Sequence, residues 1–172
     1  LSPTLLDIAR DPRASGETRL NALAAAAPTG PLDAATFDLS LASFAPEKDL
    51  AVRISAARVL ASYELNLEQK TAVLNVLAAA GPMELYEVLP AFERNPNEAL
   101  GLKLVETLKS ARGARNLRAD RLRTIFAKYP ESVQSAAKEL YARINADAAQ
   151  QAEHLTAYAA KLPAGDVRRG QI

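Results

Sequence analysis

The chain predicts an all-α fold, a solenoid of about ten short helices, and three observations carry that prediction. Apolar residues recur at i, i+4, i+7 and i+8 in one segment after another, and no segment shows the period-two alternation of a half-buried strand. The chain is 49% hydrophobic but only 5% aromatic and has no Trp, so its core must be built mainly from Ala and Leu, strong helix formers that allow close helix approach. The stretch Asp49–Leu60 (DLAVRISAARVL) also returns in paler copies at nearly constant spacing, each after an acidic, Asn or Pro-containing turn. Units of this size cannot bury their apolar faces alone and become stable only when stacked.

Each element has its own local reason. Ser2-Pro3 supplies an N-cap and a first-turn proline for a helix to about Arg10, which Asp11-Pro12 breaks. A second helix runs from about Gly16 to Ala26 and stops before Pro28-Thr29-Gly30-Pro31. Asp33 caps the third, with Leu32 and Phe37 at the spacing of a hydrophobic staple and Phe37, Leu41 and Phe44 as its stripe. The fourth has the clearest single face: Val52, Ala56, Val59, Leu60 and Tyr63. Asn66 and Gln69 form a capping box that opens the fifth, which continues through Val73, Leu74 and Leu77 to Gly81-Pro82. The sixth spans about Met83 to Phe92 and is shortened or kinked by Pro90.

Asn95-Pro96-Asn97-Glu98 reads as a second capping box with Pro in the first turn, opening a seventh helix striped by Leu100, Leu104 and Leu108. The eighth uses Leu122, Ile125, Phe126 and Tyr129, and the ninth follows Pro130 with Val133, Ala137, Leu140, Tyr141 and Ile144. A tenth, from about Asp147 to Leu162, closes the array as a capping helix striped by Ala148, Ala152, Leu155, Ala159 and Leu162. Residues 163–172 read as an extended linker toward a further C-terminal domain, so that residues 1–162 form the solenoid. From Leu1 at the start and the Gly-Gln-Ile ending, the chain is expected to be a piece of a longer protein.

Aligning second helices on the position before the Arg of Val52-Arg53 gives Thr18, Val52, Leu100 and Val133, separated by 34, 48 and 33 residues. Two intervals fit one helix pair. The third fits a pair plus one helix, so the fifth helix, residues 66–80, reads as an insertion between the pairs 1–2, 3–4, 6–7 and 8–9.

The pattern Asp49-x-x-Val52-Arg53-x-x-Ala56-Ala57-x-x-Leu60 resembles the second-helix signature of HEAT repeats. Asp11-Pro12 with Arg19, Ala22 and Leu23 is a weaker copy, as is Pro130 with Val133, Ala137 and Leu140. Helix seven departs from the pattern, with Gly101 where the Arg should stand. The resemblance covers roughly residues 2 to 145 and implies a right-handed α-α superhelix. It also implies a structural ladder in which Arg53 pairs with an acid of the preceding turn, here Asp49. The signature residues of tetratricopeptide repeats are missing. Gly165-Asp166-Val167-Arg168-Arg169-Gly170-Gln171 is similar to the segment that opens many class I c-type cytochrome domains. Ala- and Leu-rich HEAT-like segments directly precede such domains in some large multidomain bacterial (planctomycete-like) proteins. That likeness implies haem c in the parent protein and an extracytoplasmic or periplasmic setting. It places no haem ligand in this chain, and the residues themselves assign no compartment.

Composition excludes more than it assigns. With no Cys, these residues hold no disulfide, thiolate metal site, Cys nucleophile or covalent haem attachment. No apolar run reaches the roughly 20 residues needed to span a bilayer. Neither a Walker-type loop, GxGxxG nor GxSxG occurs. His154, the only histidine, shares a polar face with Gln151, Tyr158 and Lys161 and reads as solvated. The pairs Glu64/Glu68 and Glu84/Glu87 read as solvated charge rather than as acid–base groups, which need a cleft to shift their pKa. No catalytic, metal or cofactor-binding residue is assigned.

Charge is uneven. Lys109, Arg112, Arg115, Arg118, Arg121, Arg123 and Lys128 face a single acid of the same stretch, Asp120, giving +6 locally against −5 for the remainder. This run is expected on one exposed edge, as a candidate surface for an acidic partner, an anionic cofactor edge or phosphate backbone. The expected function is a non-catalytic, monomeric scaffold that binds a protein or positions a neighbouring domain of the same chain. Nucleic-acid binding through the 109–128 edge, as in HEAT-like DNA glycosylases, is the alternative. Low aromatic content and near-neutral net charge weigh against it. Fold type alone supports no enzyme of the bilin-lyase kind.

Overall fold

The computed structural model describes residues 2–26 and 30–160, and these are helical with no strand among them. Nine α-helices follow one another: α1 (Ser2–Arg10), α2 (Gly16–Ala26), α3 (Ala34–Ser43), α4 (Leu50–Ser62), α5 (Leu67–Leu77), α6 (Pro82–Val88), α7 (Glu98–Ser110), α8 (Ala119–Phe126) and α9 (Glu131–Ala159). Short 3-10 turns, Leu89–Phe92 and Ala114–Asn116, follow α6 and α7. No helix among the described residues is long and apolar enough to cross a membrane.

The caps are where local chemistry places them. The Asp33 carboxylate accepts from Thr36 N at 3.0 Å and starts α3. Asn66 and Gln69 complete a reciprocal box at the start of α5, at 2.8 and 2.9 Å. Pro90 falls inside the 3-10 turn, so α6 ends at Val88 instead of running to Phe92. At α7 the cap lies two residues later than the sequence suggests. Asn97, not Asn95, accepts from Leu100 N at 3.0 Å, and Asn95 takes φ 48° in the turn before it.

Packing follows chain order. The principal contacts join α1 to α2, α2 to α4, α3 to α4 and α4 to α6, then α5 to α7, α7 to α9 and α8 to α9. Helix α4 is therefore enclosed by α2, α3, α6 and the Leu89–Phe92 turn. Its burial extends beyond the single face read from the sequence, to Ser55 and Ala57 beside Ala56, Val59 and Leu60. Side-chain hydrogen bonds between these elements recur at one interval. Those from Ser55 to Asn21, Arg58 to Glu87, Arg94 to Ser62, Lys103 to Asn75, Ser132 to Glu98 and Tyr129 to Phe92 all span 28 to 37 residues.

Helix α5, the expected insertion at 66–80, is joined at a similar interval to α7 through Asn75 and Lys103. α5 packs directly on α7, and α4 packs on α6, not α7. The 48-residue gap arose from matching α4 with α7, because the short, Pro-interrupted α6 carries no copy of the Val-Arg pattern. The expected tenth helix is also absent as a separate element. Asn145-Ala146-Asp147 contains no breaker, so α9 runs through to Ala159, and every described residue after Asp147 is exposed.

Gly101, where the repeat pattern calls for Arg, has a steric reason. A Cβ there would lie 2.5 Å from Tyr129 Cδ1 and 2.9 Å from Val133 Cγ1. Tyr129 lies across α7 at this glycine and donates its hydroxyl to Phe92 O at 2.6 Å. Burial pushes its phenol up to about 12.

Candidate functional site

Two charged systems emerge, and only one was legible. The first joins α4 to α6. Arg53 does not pair with Asp49, whose exposed side chain makes no cap hydrogen bond. Its Nη1 lies 2.7 Å from Glu84 Oε1, with side-chain exposures of 20% and 3%. The guanidinium reaches across to the neighbouring helix α6 instead. Arg53 Nε and Glu84 Oε1 lack hydrogen-bond partners, so this is an ion pair without good hydrogen-bond alignment.

Glu84 sits in the first turn of α6, where the helix N-terminus favours a carboxylate. It folds back over Gly81, whose added Cβ would lie 2.7 Å from Glu84 Oε2. Beside it Arg58 and Glu87 meet at 2.9 Å in a more exposed pair. The expectation that Glu84 and Glu87 are solvated is thus corrected: both serve the α4–α6 seam. Their spacing from Arg53 and Arg58, close to one repeat, was the signal in the sequence.

The second system is the basic run, which the fold disperses. Lys109 reaches Glu139 at 2.7 Å and Glu106 at 3.0 Å. These bonds, Glu139's first, raise the Lys109 pKa and lower that of Glu139. Arg118 meets Asp120 at 2.7 Å, and the bond holds that carboxyl below its usual range. Lys128 meets Glu93 at 2.9 Å. Arg121 and Arg123, two residues apart on α8, point to opposite flanks because a helix turns about 200° over that distance. Arg121 stacks on Tyr86 of α6 at 5.6 Å, and Arg123 on Tyr141 of α9 at 5.2 Å. Arg112 and Arg115 are exposed around the Ala114–Asn116 turn. The seven cations are therefore not all on one flank, and acids distant in sequence offset two of them, Lys109 and Lys128.

Several hollows mark the described surface, two of them of about 480 Å³ each. Arg123, Phe126, Ala127, Gln134, Lys138 and Tyr141 line an open groove of about 480 Å³ between α8 and α9. A second hollow, between the starts of α5 and α7, contains Lys70, which is 2% exposed and donates to Arg94 O. Burial, then the charge of Arg94, lowers the Lys70 pKa. Periodicity gave no sign of this lysine, which occupies a core position of α5 among Val73, Leu74 and Leu77. His154 is exposed on the last turns of α9. The cytochrome-like segment Gly165–Gln171 lies outside the described residues.

No family model matches this sequence, and no curated protein or solved structure matches it either.

Proposed function

We propose that the chain is a non-catalytic scaffold, a HEAT-like α-solenoid that presents a protein-binding surface and holds neighbouring domains at a set spacing. The observation that carries this reading is the repeated interval of 28 to 37 residues across which side chains hydrogen-bond to a neighbouring element. Such an interval is what stacked helix pairs produce, each fastened to the next. The packing of α2 on α4 on α6, and of α5 on α7 on α9, supports the same reading. A stack of this kind transmits position from one end to the other because each interface fixes the next. The link to a c-type cytochrome rests on Gly165–Gln171 alone. A Cys-x-x-Cys-His site in the residues that follow in the parent gene supports that link, and its absence there removes it.

The absence of Cys makes a direct test simple. Spin labels on Glu17→Cys in α2 and Ser135→Cys in α9, both exposed, report the distance across the array. A positioning scaffold gives one narrow distance distribution that is unchanged by salt. A broad or multimodal distribution contradicts the reading.

A further inference from the structure

We infer that the α8/α9 groove is a docking site for an acidic peptide segment carrying one aliphatic or aromatic anchor, a conclusion that rests on the scaffold reading above. Among the described residues Lys109, Arg118 and Lys128 have carboxylate partners, whereas Arg123 and Lys138 have none. These two uncompensated cations lie on opposite walls of one groove, on α8 and α9. Between them are Ala127, the partly buried Tyr141 and the fully buried Phe126.

Arg123 holds its guanidinium over the Tyr141 ring, 5.2 Å from the centroid, which limits its freedom. A fork held in this way meets a carboxylate with little further ordering. Gln134 uses its amide nitrogen on Tyr129 O at 2.8 Å, leaving the amide oxygen to accept from a peptide N–H. The combination is two cations, one acceptor and an apolar strip, with no carboxylate in the lining.

Charge and shape select the occupant. A nucleic acid needs a run of cations along its phosphates, and outside this groove only Arg112 and Arg115 of the basic stretch have neither a carboxylate partner nor the Tyr86 contact. Small-molecule sites enclose most of their ligand, whereas this groove is open along its length. A peptide laid between two helices, one side chain down and its acids against the walls, suits that form.

The test uses the intact chain and a fluorescein-labelled probe peptide with a central Leu-Phe pair flanked by glutamates. Anisotropy should rise on titration and weaken with added salt, since both cations are exposed and screened. Arg123→Glu/Lys138→Glu should weaken binding at least about tenfold with helicity unchanged. Ala127→Trp, which fills the groove without changing its charge, should do the same. Absence of binding at low salt, or equal binding by a lysine-flanked control peptide, overturns the proposal. So does tighter, salt-sensitive binding of single-stranded DNA at this groove. Concentration-dependent self-association that disappears in the double variant overturns it in favour of a second copy, docking its exposed Leu67 with Glu64 and Glu68. The Glu17/Ser135 distance, measured on the same preparation, separates outcomes: a narrow distance without peptide binding rejects the groove and leaves the scaffold standing.

Discussion

Removing the Glu84 carboxylate strands the Arg53 guanidinium where little water reaches it. Glu84→Leu should therefore destabilise the fold by about 3 kcal/mol, the cost of leaving one member of a buried pair uncompensated. Arg53→Met combined with Glu84→Leu should recover most of that loss, because apolar groups of similar size need no partner. Urea unfolding of the single and double variants checks both. Tyr129 gives a pH test. Its phenol titrates near about 12 in the folded chain against an ordinary 10.0, so the folded state keeps a proton that the unfolded state loses. Its contribution is intact below pH 10 and is lost as pH rises toward 12. Tyr129→Phe should start less stable, with Phe92 O left unpaired, yet show a flatter alkaline profile. Tyr129 reads in the sequence as an apolar-stripe residue, but neither its bond to Phe92 O nor the burial of Glu84 does. Glu84 and Glu87 look alike as polar-face acids, and only the helix lying across them distinguishes the 3%-exposed one. Lys70 escaped for the same reason, since a cation at a core position contradicts periodicity unless a carbonyl from another element, here Arg94 O, is waiting for it.

At the scale of elements, what could be read was what is local. Asp33, and Asn66 with Gln69, act through neighbours three residues away, so their spacing alone identifies them. Pro90 shortens α6 for an equally local reason. The long α9 was divided wrongly because amphipathic periodicity does not record whether a partner exists. The stripe of Val133, Ala137, Leu140 and Ile144 is buried, and its continuation through Ala148, Ala152 and Leu155 is exposed. Amides of residues 148–159 should therefore exchange far faster than those of residues 133–144 within the same helix, as peptide-resolved hydrogen exchange would show. Equal protection along the helix would mean that a partner covers its end.

For the whole molecule, helical class was written into the Ala- and Leu-rich pattern, whereas register and charge geometry depend on which helix lies beside which. The basic run looked continuous because sequence keeps its seven cations together. The fold turns Arg121 and Arg123 to opposite flanks and brings Glu93 and Glu139 against two others. The central claim is that stability passes from neighbour to neighbour, as the order of packing implies. Native-state hydrogen exchange on Leu140→Ala tests it most directly. That substitution removes a core side chain of α9 at a cost of about 2–5 kcal/mol. The account expects protection to fall in α7, α8 and α9 while α1 to α4 keep theirs. An equal loss of protection in α2 and α4 would contradict it, because one shared core would then hold the molecule together.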